Sequence, residues 1–274
     1  MRLSAITDEI SQDLDVALRV CDSLGVETVE VRTVGDTNIV DHDPAAVRRI
    51  GAAIRAGGFR CTVVDTPFLK TAAARADVPD AEWARLQRGI EAATTFEATT
   101  LRVFSGARAG ASQVAPPNGA ARWAADVLGR AADLARDAGL RVAMEIEWEC
   151  LVGTGLEARA VLDAVADGDI GVVWDPGNEA RLAGAAPDPD GYAAVRDRIV
   201  HVHVKDVDGA GQWTRVGDGI VDWHAELRRL AADGYDGLLS LETHYRDPTG
   251  GLAAATRECA DALRELAARD GIAL

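Results

Sequence analysis

The sequence predicts an α/β fold, a (β/α)8 TIM barrel, from three observations. Short β-branched runs alternate eight times with longer helical stretches rich in Ala, Leu and Arg, and strands that alternate with helices form a parallel sheet. Eight such units within 274 residues are typical of this barrel. Several helical stretches also end at a glycine just before the next strand, where glycine accommodates the left-handed conformation; these are Gly25, Gly57, Gly58, Gly139, Gly168 and Gly234.

The first four units follow one another regularly. Apolar residues recur at helical spacing in the first helix, and Pro44 stands at the first turn of the second, where its fixed φ is favourable. The predicted strands are Leu3–Ile6, Thr28–Val31, Cys61–Val64 and Thr100–Phe104, and the helices that follow them are Leu14–Leu24, Pro44–Ala56, Ala81–Thr94 and Arg122–Ala138.

The last four units repeat the alternation with one irregularity, a shorter helical region that prolines interrupt and that ends near Arg198. The other elements are the strands Val142–Ile146, Ile170–Trp174, Ile199–Val204 and Leu238–Leu241, and the helices Leu156–Val165, Asp222–Ala232 and Ala253–Ala268. A doubly wound open sheet is the alternative fold. Such a sheet usually has a glycine-rich first turn, whereas Thr7–Ile10 contains no GxGxxG motif.

Nothing in the sequence divides the chain, because it contains no low-complexity linker and no block of like charge. We therefore predict a single TIM-barrel domain over residues 1–274. The longest irregular segment is the loop Gly106–Gly119, which contains Pro116 and Pro117 and which we interpret as an insertion.

Composition excludes several classes of partner. With 29 Lys and Arg against 44 Asp and Glu, the net charge is −15, which argues against nucleic-acid and anionic-membrane partners. The four cysteines are far apart and form no CxxC pair, so we expect reduced thiols. The N-terminus becomes acidic too early for a signal peptide, and no apolar run approaches the ~18 residues of a membrane span. We expect a cytoplasmic protein, either a monomer or a homodimer.

Catalysis in such barrels takes place at the C-terminal ends of the strands and in the loops that follow them, here called the rim. The predicted rim is rich in charged groups: Asp8, Glu9, Glu30, Arg32, Asp65, Glu145, Glu147, Asp175, His201, His203, Lys205, Asp206, Glu242 and His244.

Four of these residues, Glu145, Asp175, His203 and Glu242, come from strands five to eight. Their separations of 30, 28 and 39 residues each match about one unit. Three carboxylates and one imidazole form a site for a divalent cation; Mn²⁺ fits best, Mg²⁺ and Co²⁺ also fit, and Zn²⁺ is less favoured because nitrogen and sulfur ligands are few. The alternative is that each residue forms a separate ion pair at its strand end.

Four motifs in this order resemble the xylose isomerase-like TIM-barrel superfamily, in its sugar phosphate isomerase/epimerase branch. They are LRVAME (140–145), VWDPGN (173–178), HVHVKD (201–206) and LSLE (239–242). The opening ITDEIS (6–11) is also similar, so the resemblance covers nearly the whole chain. That branch includes D-tagatose 3-epimerase, hydroxypyruvate isomerase and inosose dehydratase.

The resemblance implies that Glu145, Asp175, His203 and Glu242 are the metal ligands. One position departs from the pattern of many members, which have histidine three residues after the aspartate; here that residue is Asn178. A trinuclear zinc site of the endonuclease IV type is excluded, because only five histidines are present and two of them, His42 and His224, fall outside the rim.

A cation at this site would polarise a sugar carbonyl and acidify the adjacent C–H bond. Glu145 and Glu242 are the predicted acid and base, with Lys205 as a further catalytic group. Returning the proton to the opposite face gives epimerisation, and returning it to the neighbouring carbon gives isomerisation. Loss of a β-hydroxyl would make the same site a dehydratase or lyase, so both reactions stay open, as does a non-catalytic sugar-binding barrel.

Five further residues are the predicted substrate contacts, and each has a structural alternative. They are Glu147, His201, Arg215, Trp174 and His244. The substrate is expected to be a small sugar or polyol. Whether it is phosphorylated stays open, and the turn Thr249–Gly251 beside Arg246 is the place where a phosphate would be sought.

Overall fold

The computed structural model describes residues 1–72, 77–108, 119–165 and 169–274, in which eight parallel strands close into a barrel. The strands are β1 Arg2–Ile6, β2 Thr28–Val31, β3 Arg60–Asp65, β4 Thr100–Val103, β5 Arg141–Glu145, β6 Ile170–Trp174, β7 Ile199–Val204 and β8 Leu238–Leu241. Ala5 of β1 pairs with Val29 on one side and with Leu241 on the other, which closes the ring. The predicted (β/α)8 barrel is confirmed, and the open-sheet alternative is excluded.

Nine α-helices surround the barrel within these described ranges. They are α1 Leu14–Ser23, α2 Pro44–Ala56, α3 Asp80–Phe96, α4 Ala120–Arg136, α5 Gly155–Ala164, α6 Pro176–Ala183, α7 Pro189–Val195, α8 Trp223–Ala232 and α9 Gly251–Arg269. The proline-interrupted region is the pair α6 and α7. Gly168, predicted as a helix stop, and residues 109–118 of the predicted insertion lie outside the described residues.

Polar residues before several helices fix where those helices begin. The side chains of Asp43 and Asp188 accept hydrogen bonds from backbone amides in the first turns of α2 and α7, and a proline follows each of them at the first helical position. Such a side chain satisfies an amide that has no partner inside the helix. For α2, this combination explains why the start of the helix could be predicted closely.

The buried core changes character along the barrel. Apolar side chains such as Leu86, Leu101 and Leu128 fill the space between strands and helices. Towards the rim, buried side chains are charged; they include Glu30, Arg102, Glu145, His201 and His203. Buried charge is costly unless it is paired, so this polar layer is where a functional site is expected.

Two irregularities in strand pairing lie beside this polar layer. The register between β2 and β3 shifts between Val29 and Glu30, and that between β6 and β7 shifts between Val172 and Val173. Such irregularities re-aim side chains. No helix in the described part of the chain is both long and apolar enough to cross a membrane, and all four cysteines are buried and unpaired.

Candidate metal centre

The four predicted ligands converge on one point at the rim. Nδ1 of His203, in β7, lies 3.0 Å from Oε2 of Glu242, 3.2 Å from Oε1 of Glu145 and 3.5 Å from Oδ2 of Asp175. Glu145 ends β5, whereas Asp175 and Glu242 directly follow β6 and β8. All four side chains are buried. Residues that are 97 positions apart in the sequence therefore form one cluster.

The spacing of these ligand atoms fits a divalent cation. One atom from each of the four residues lies within 4.8 Å of all the others. Mg²⁺ binds oxygen at about 2.1 Å, which places ligands at right angles about 3 Å apart. The separations of 3.0–3.5 Å around His203 are therefore those of neighbouring ligands in a coordination shell. One carboxylate oxygen, Oε2 of Glu145, is also buried without a hydrogen bond.

Glu30 contacts the other ring nitrogen of His203. Its Oε1 lies 3.2 Å from Nε2 of His203, and its Oε2 lies 2.8 Å from Nε2 of His201. Burial lowers the pKa of His203, but the carboxylates of Glu30, Glu242 and Glu145 outweigh it and raise that pKa well above its usual value. A carboxylate on the distal nitrogen is the usual support for a histidine that ligates a metal.

Asp175 serves both the helix and the cluster. Its Oδ1 accepts a hydrogen bond of 2.8 Å from the backbone amide of Asn178 and so caps α6, which leaves Oδ2 facing His203. The Asn178 side chain donates to Asp175 Oδ2 at 3.0 Å and to Glu145 Oε1 at 3.3 Å. Asn178 thus orients two predicted ligands from the position where many family members are expected to have histidine.

Lys205 contacts two of the predicted ligands. Its Nζ lies 2.5 Å from Oε2 of Glu242 and 2.9 Å from Oδ2 of Asp175. Burial lowers the pKa of Lys205, but Asp175 and Glu242 raise it above its usual value, so the group is an ammonium at neutral pH. Gly177 makes this contact possible, because a Cβ at that position would lie 2.4 Å from Cγ of Lys205.

Arg102 of β4 supports the cluster from the side. Its Nε lies 3.0 Å from Oδ1 of Asp65 and 3.1 Å from Oε2 of Glu145. The second distance is an electrostatic contact, since that oxygen receives no well-directed hydrogen bond. Burial raises the pKa of Glu145, but Arg102 and His203 outweigh it and lower that pKa to about 2.

A second acidic group at the rim is already neutralised by an arginine. Glu9, Glu242 and His244 lie close enough to hold a cation. Arg32, however, lies 2.5 Å from Glu9 Oε1, 2.7 Å from Glu242 Oε1 and 2.8 Å from Asp8 Oδ2. The guanidinium thus supplies the positive charge that these carboxylates require.

Sequence reasoning noted Glu30 and Arg32 at strand ends but gave them no role, and it overlooked Arg102. Glu30 stands between Val29 and Val31, and Arg102 between Leu101 and Val103. The signal that could have identified Glu30 and Arg102 is a charged residue inside an otherwise mainly apolar strand of four residues, because such a strand is buried on both sides.

The predicted substrate contacts lie in different places. Glu147 is buried with its Oε2 2.9 Å from Nζ of Lys70. Nδ1 of His244 lies 2.9 Å from Oε1 of Glu9. The centroid of the His244 ring lies 5.2 Å from that of the Trp213 ring. The Glu147 and His244 side chains both face the rim. Arg215 lies on the loop after β7, where it contacts Asp218 at 3.4 Å.

For two residues the structure does not support direct contact with a substrate. Trp174 is fully buried and donates its indole N–H to Glu226 at 2.9 Å, because its position in β6 turns it towards the helices. His201 is 2% exposed and bound to Glu30, two residues before His203 on the same strand. Through Glu30 it supports His203 from below.

Other aromatic residues line the rim. Cζ of Arg181 lies 4.5 Å from the ring centroid of Trp148 and 4.7 Å from that of Trp213. Trp213 lies in a hairpin of Asp206–Val207 with Trp213–Thr214. Asp206 fixes this loop by accepting amide hydrogen bonds from several of its residues, including Gly217 at 2.9 Å and Val221 at 3.1 Å.

Comparison with known proteins identifies the family. The model of the xylose isomerase-like TIM barrel family matches residues 18–266. The chain belongs to this family. The match includes all four residues of the candidate metal centre, and it confirms the resemblance that the sequence motifs indicated. No curated protein matches the sequence significantly.

Solved structures share the xylose isomerase-like barrel at low sequence identity. The IOLI protein, with a binding zinc atom, is 16% identical with a TM-score of 0.77, covering 98% of this chain and 99% of that one. L-ribulose 3-epimerase is 18% identical with a TM-score of 0.74, covering 98% and 96%. The probable 3-DHS dehydratase AsbF from Bacillus anthracis is 15% identical with a TM-score of 0.74, covering 94% and 98%. At such identities the likeness shows the fold alone.

Proposed function

We propose that this protein is a divalent-metal-dependent isomerase or epimerase that acts on a small sugar or polyol. The observation that carries this proposal is the convergence of three carboxylates on Nδ1 of His203, whose other nitrogen faces Glu30. An epimerase among the structural neighbours agrees with it. Cytoplasmic location and a monomeric or homodimeric state remain predictions from the sequence.

Glu145, Asp175, His203 and Glu242 would hold the cation. A mainly carboxylate set favours Mn²⁺, with Mg²⁺ and Co²⁺ next and Zn²⁺ less favoured. When bound, the cation would polarise the substrate carbonyl and make the adjacent C–H bond more acidic. The three carboxylates would keep His203 oriented on one side of the ring. On the other side, Glu30 would accept a hydrogen bond from Nε2.

Glu145 and Glu242 are the proposed proton-transfer groups. They stand on β5 and β8, which two other strands separate in the ring, so they face the mouth from different sides. Burial raises the pKa of Glu242, but Lys205 and His203 outweigh it and lower that pKa well below the usual value. Both carboxylates are therefore ionised, so either can accept the proton from the substrate carbon, and the other would have to hold a proton in order to return one to the opposite face.

Lys205 is the proposed electrophilic partner. Its ammonium, 2.5 Å from Glu242, can donate a hydrogen bond to a substrate oxygen on which negative charge develops. Because its pKa is raised, it acts as a donor and not as a base. Glu147, His244 and Arg215 remain the proposed substrate contacts.

Metal binding and hydrogen exchange test this function. The chelator-treated protein is titrated with Mn²⁺, Mg²⁺, Co²⁺ and Zn²⁺, and its melting temperature is followed. Ketoses are then incubated with the Mn²⁺-loaded protein in D₂O. We expect deuterium next to the carbonyl without loss of water, and at least 100-fold slower exchange in Glu145→Gln.

Glu149→Gln is the matched control, because that carboxylate lies four residues further on and is half-exposed. It should exchange like the wild type. An unsaturated product would indicate a dehydratase or lyase. If no cation raises the melting temperature and no ketose exchanges, the chain is a non-catalytic barrel and the proposal is wrong.

A further inference from the structure

Arg181 is held at the mouth of the barrel by aromatic rings. It lies on α6, and its guanidinium stands over the faces of Trp148 and Trp213, whose centroids are 4.5 Å and 4.7 Å from Cζ. Trp148 follows β5, and Trp213 follows β7. Three neighbouring segments of the rim thus meet at this side chain, and the cation–π contacts fix the position of the guanidinium.

The N–H donors of Arg181 have no partner in the described part of the chain, where its contacts are with the two rings. The cations deeper in the barrel differ in this respect. Arg32, Arg102, Lys70 and Lys205 each lie within 3.0 Å of a carboxylate oxygen. In a chain with 44 acidic and 29 basic residues, an arginine at an acidic rim without a carboxylate partner has donors available for a ligand.

Trp213 connects Arg181 with the candidate metal centre. Nζ of Lys205 lies 5.4 Å from the same ring, and the His244 ring lies 5.2 Å from it. The charged groups of Arg181 and Lys205 are therefore at most about 10 Å apart. A sugar of five or six carbons that places its carbonyl at Lys205 and Glu242 brings its far end towards Arg181.

We propose that Arg181 binds a terminal oxyanion of the substrate, a carboxylate or a phosphate, so that the site prefers acidic sugars to neutral ones. The planar guanidinium suits both groups, since it donates two parallel hydrogen bonds. This inference rests on the proposed function for the position of the reacting carbonyl.

The other place for a phosphate, the start of α9, is already satisfied. There, Oδ1 of Asp247 accepts hydrogen bonds from the backbone amides of Thr249 and Gly250, and the bond from Thr249 measures 2.8 Å. These amides are the donors that would otherwise bind an anion. Among the described residues no such acceptor pairs with the guanidinium of Arg181, and the preference for an oxyanion is therefore located at α6.

Binding of unreactive polyols tests the inference separately from catalysis. D-glucitol, D-glucitol 6-phosphate and D-gluconate are titrated into the full-length protein with Mn²⁺ present, by calorimetry and tryptophan fluorescence. We expect at least one anion to bind ten times more tightly than D-glucitol, and its identity tells phosphate from carboxylate. Arg181→Gln should remove this preference, because it should weaken binding of the preferred anion much more than binding of D-glucitol.

Arg136→Gln is the matched control, because that exposed arginine pairs with Asp133 on α4 and lies away from the rim. It should keep the preference. If Arg181→Gln does not fold, Arg181→Lys decides, and at least a threefold weaker preference is expected. Equal binding of all three probes, or an unchanged preference in the Arg181 variants, would overturn the inference. If the wild type prefers an anion and the Arg181 variant loses that preference, but no ketose exchanges hydrogen, only the proposed function is contradicted.

Discussion

Nε2 of His203 lies 3.2 Å from Oε1 of Glu30, on the side of the ring opposite the three carboxylates. This contact fixes the ring plane and leaves Nδ1 directed at the three carboxylates. His201 binds the second oxygen of Glu30 and so prevents the carboxylate from turning. Glu30 is therefore a positioning residue for the whole cluster.

Glu30→Gln should lower Mn²⁺ affinity by about 10–100-fold while the barrel stays folded. The amide cannot match a carboxylate that faces two histidines. Affinity is measured by competition with a chelator, and folding by circular dichroism. Glu27→Gln is the control, since that glutamate is exposed near the start of the same strand. Equal Mn²⁺ affinities in the two variants would contradict the role given to Glu30.

Arg102→Met should destabilise the protein by about 3–5 kcal/mol, because the buried carboxylates of Asp65 and Glu145 would lose their shared cation. Arg102 is 3% exposed, so solvent cannot replace it. The free energy of unfolding is measured in urea. The double variant Asp65→Asn, Arg102→Met should recover part of the loss, and a simple sum of two losses would show that Asp65 and Arg102 act independently.

Trp174→Phe should cost about 1–3 kcal/mol of stability without changing substrate KM, because it leaves the buried Glu226 without its indole donor. Trp213→Phe provides the comparison, since that ring lies at the rim beside Arg181 and Lys205. Steady-state kinetics measures the KM of each variant, and urea unfolding measures the free energy of unfolding of each. A raised KM in the Trp174 variant alone would restore Trp174 as a substrate contact.

Glu179 should make stability depend on pH. Burial raises its pKa to about 7, against the opposing effect of the amides of Gly155 and Asp188. A raised pKa means that the folded state holds a proton that the unfolded state loses near pH 4.5, so stability falls as pH rises from there to about 7.

Relative to Glu179→Gln, the wild type should lose up to about 3 kcal/mol between pH 4.5 and 7.5. Urea unfolding of both proteins across this range measures the difference. A wild type that gains stability with rising pH, relative to the variant, would mean that the amide donors outweigh burial.

The sequence allowed the order and limits of the elements to be predicted closely, because local signals specify them. Pro44, for example, marked the start of α2, where the Asp43 side chain accepts a hydrogen bond from an amide of the first turn. The convergence of Glu145, Asp175, His203 and Glu242 could also be predicted, since parallel strands bring their C-terminal ends to one edge. The direction of Trp174 follows from the alternation of side chains along β6, since its neighbour Asp175 faces the cluster while Trp174 packs towards the helices. Pairings such as Arg32 with Glu242 depend on contacts 210 residues apart.

Arg32 connects the first strand with the last, since it contacts Asp8 after β1 and Glu242 after β8. The ribosome completes β8 last of the eight strands, so Glu242 is the last of the four proposed ligands to leave it. A nascent chain that ends before Leu238 lacks both the closing strand and the fourth proposed ligand. The complete cluster therefore forms only when the ring closes, and if the cluster binds a cation as proposed, full metal affinity would report that the barrel has finished folding.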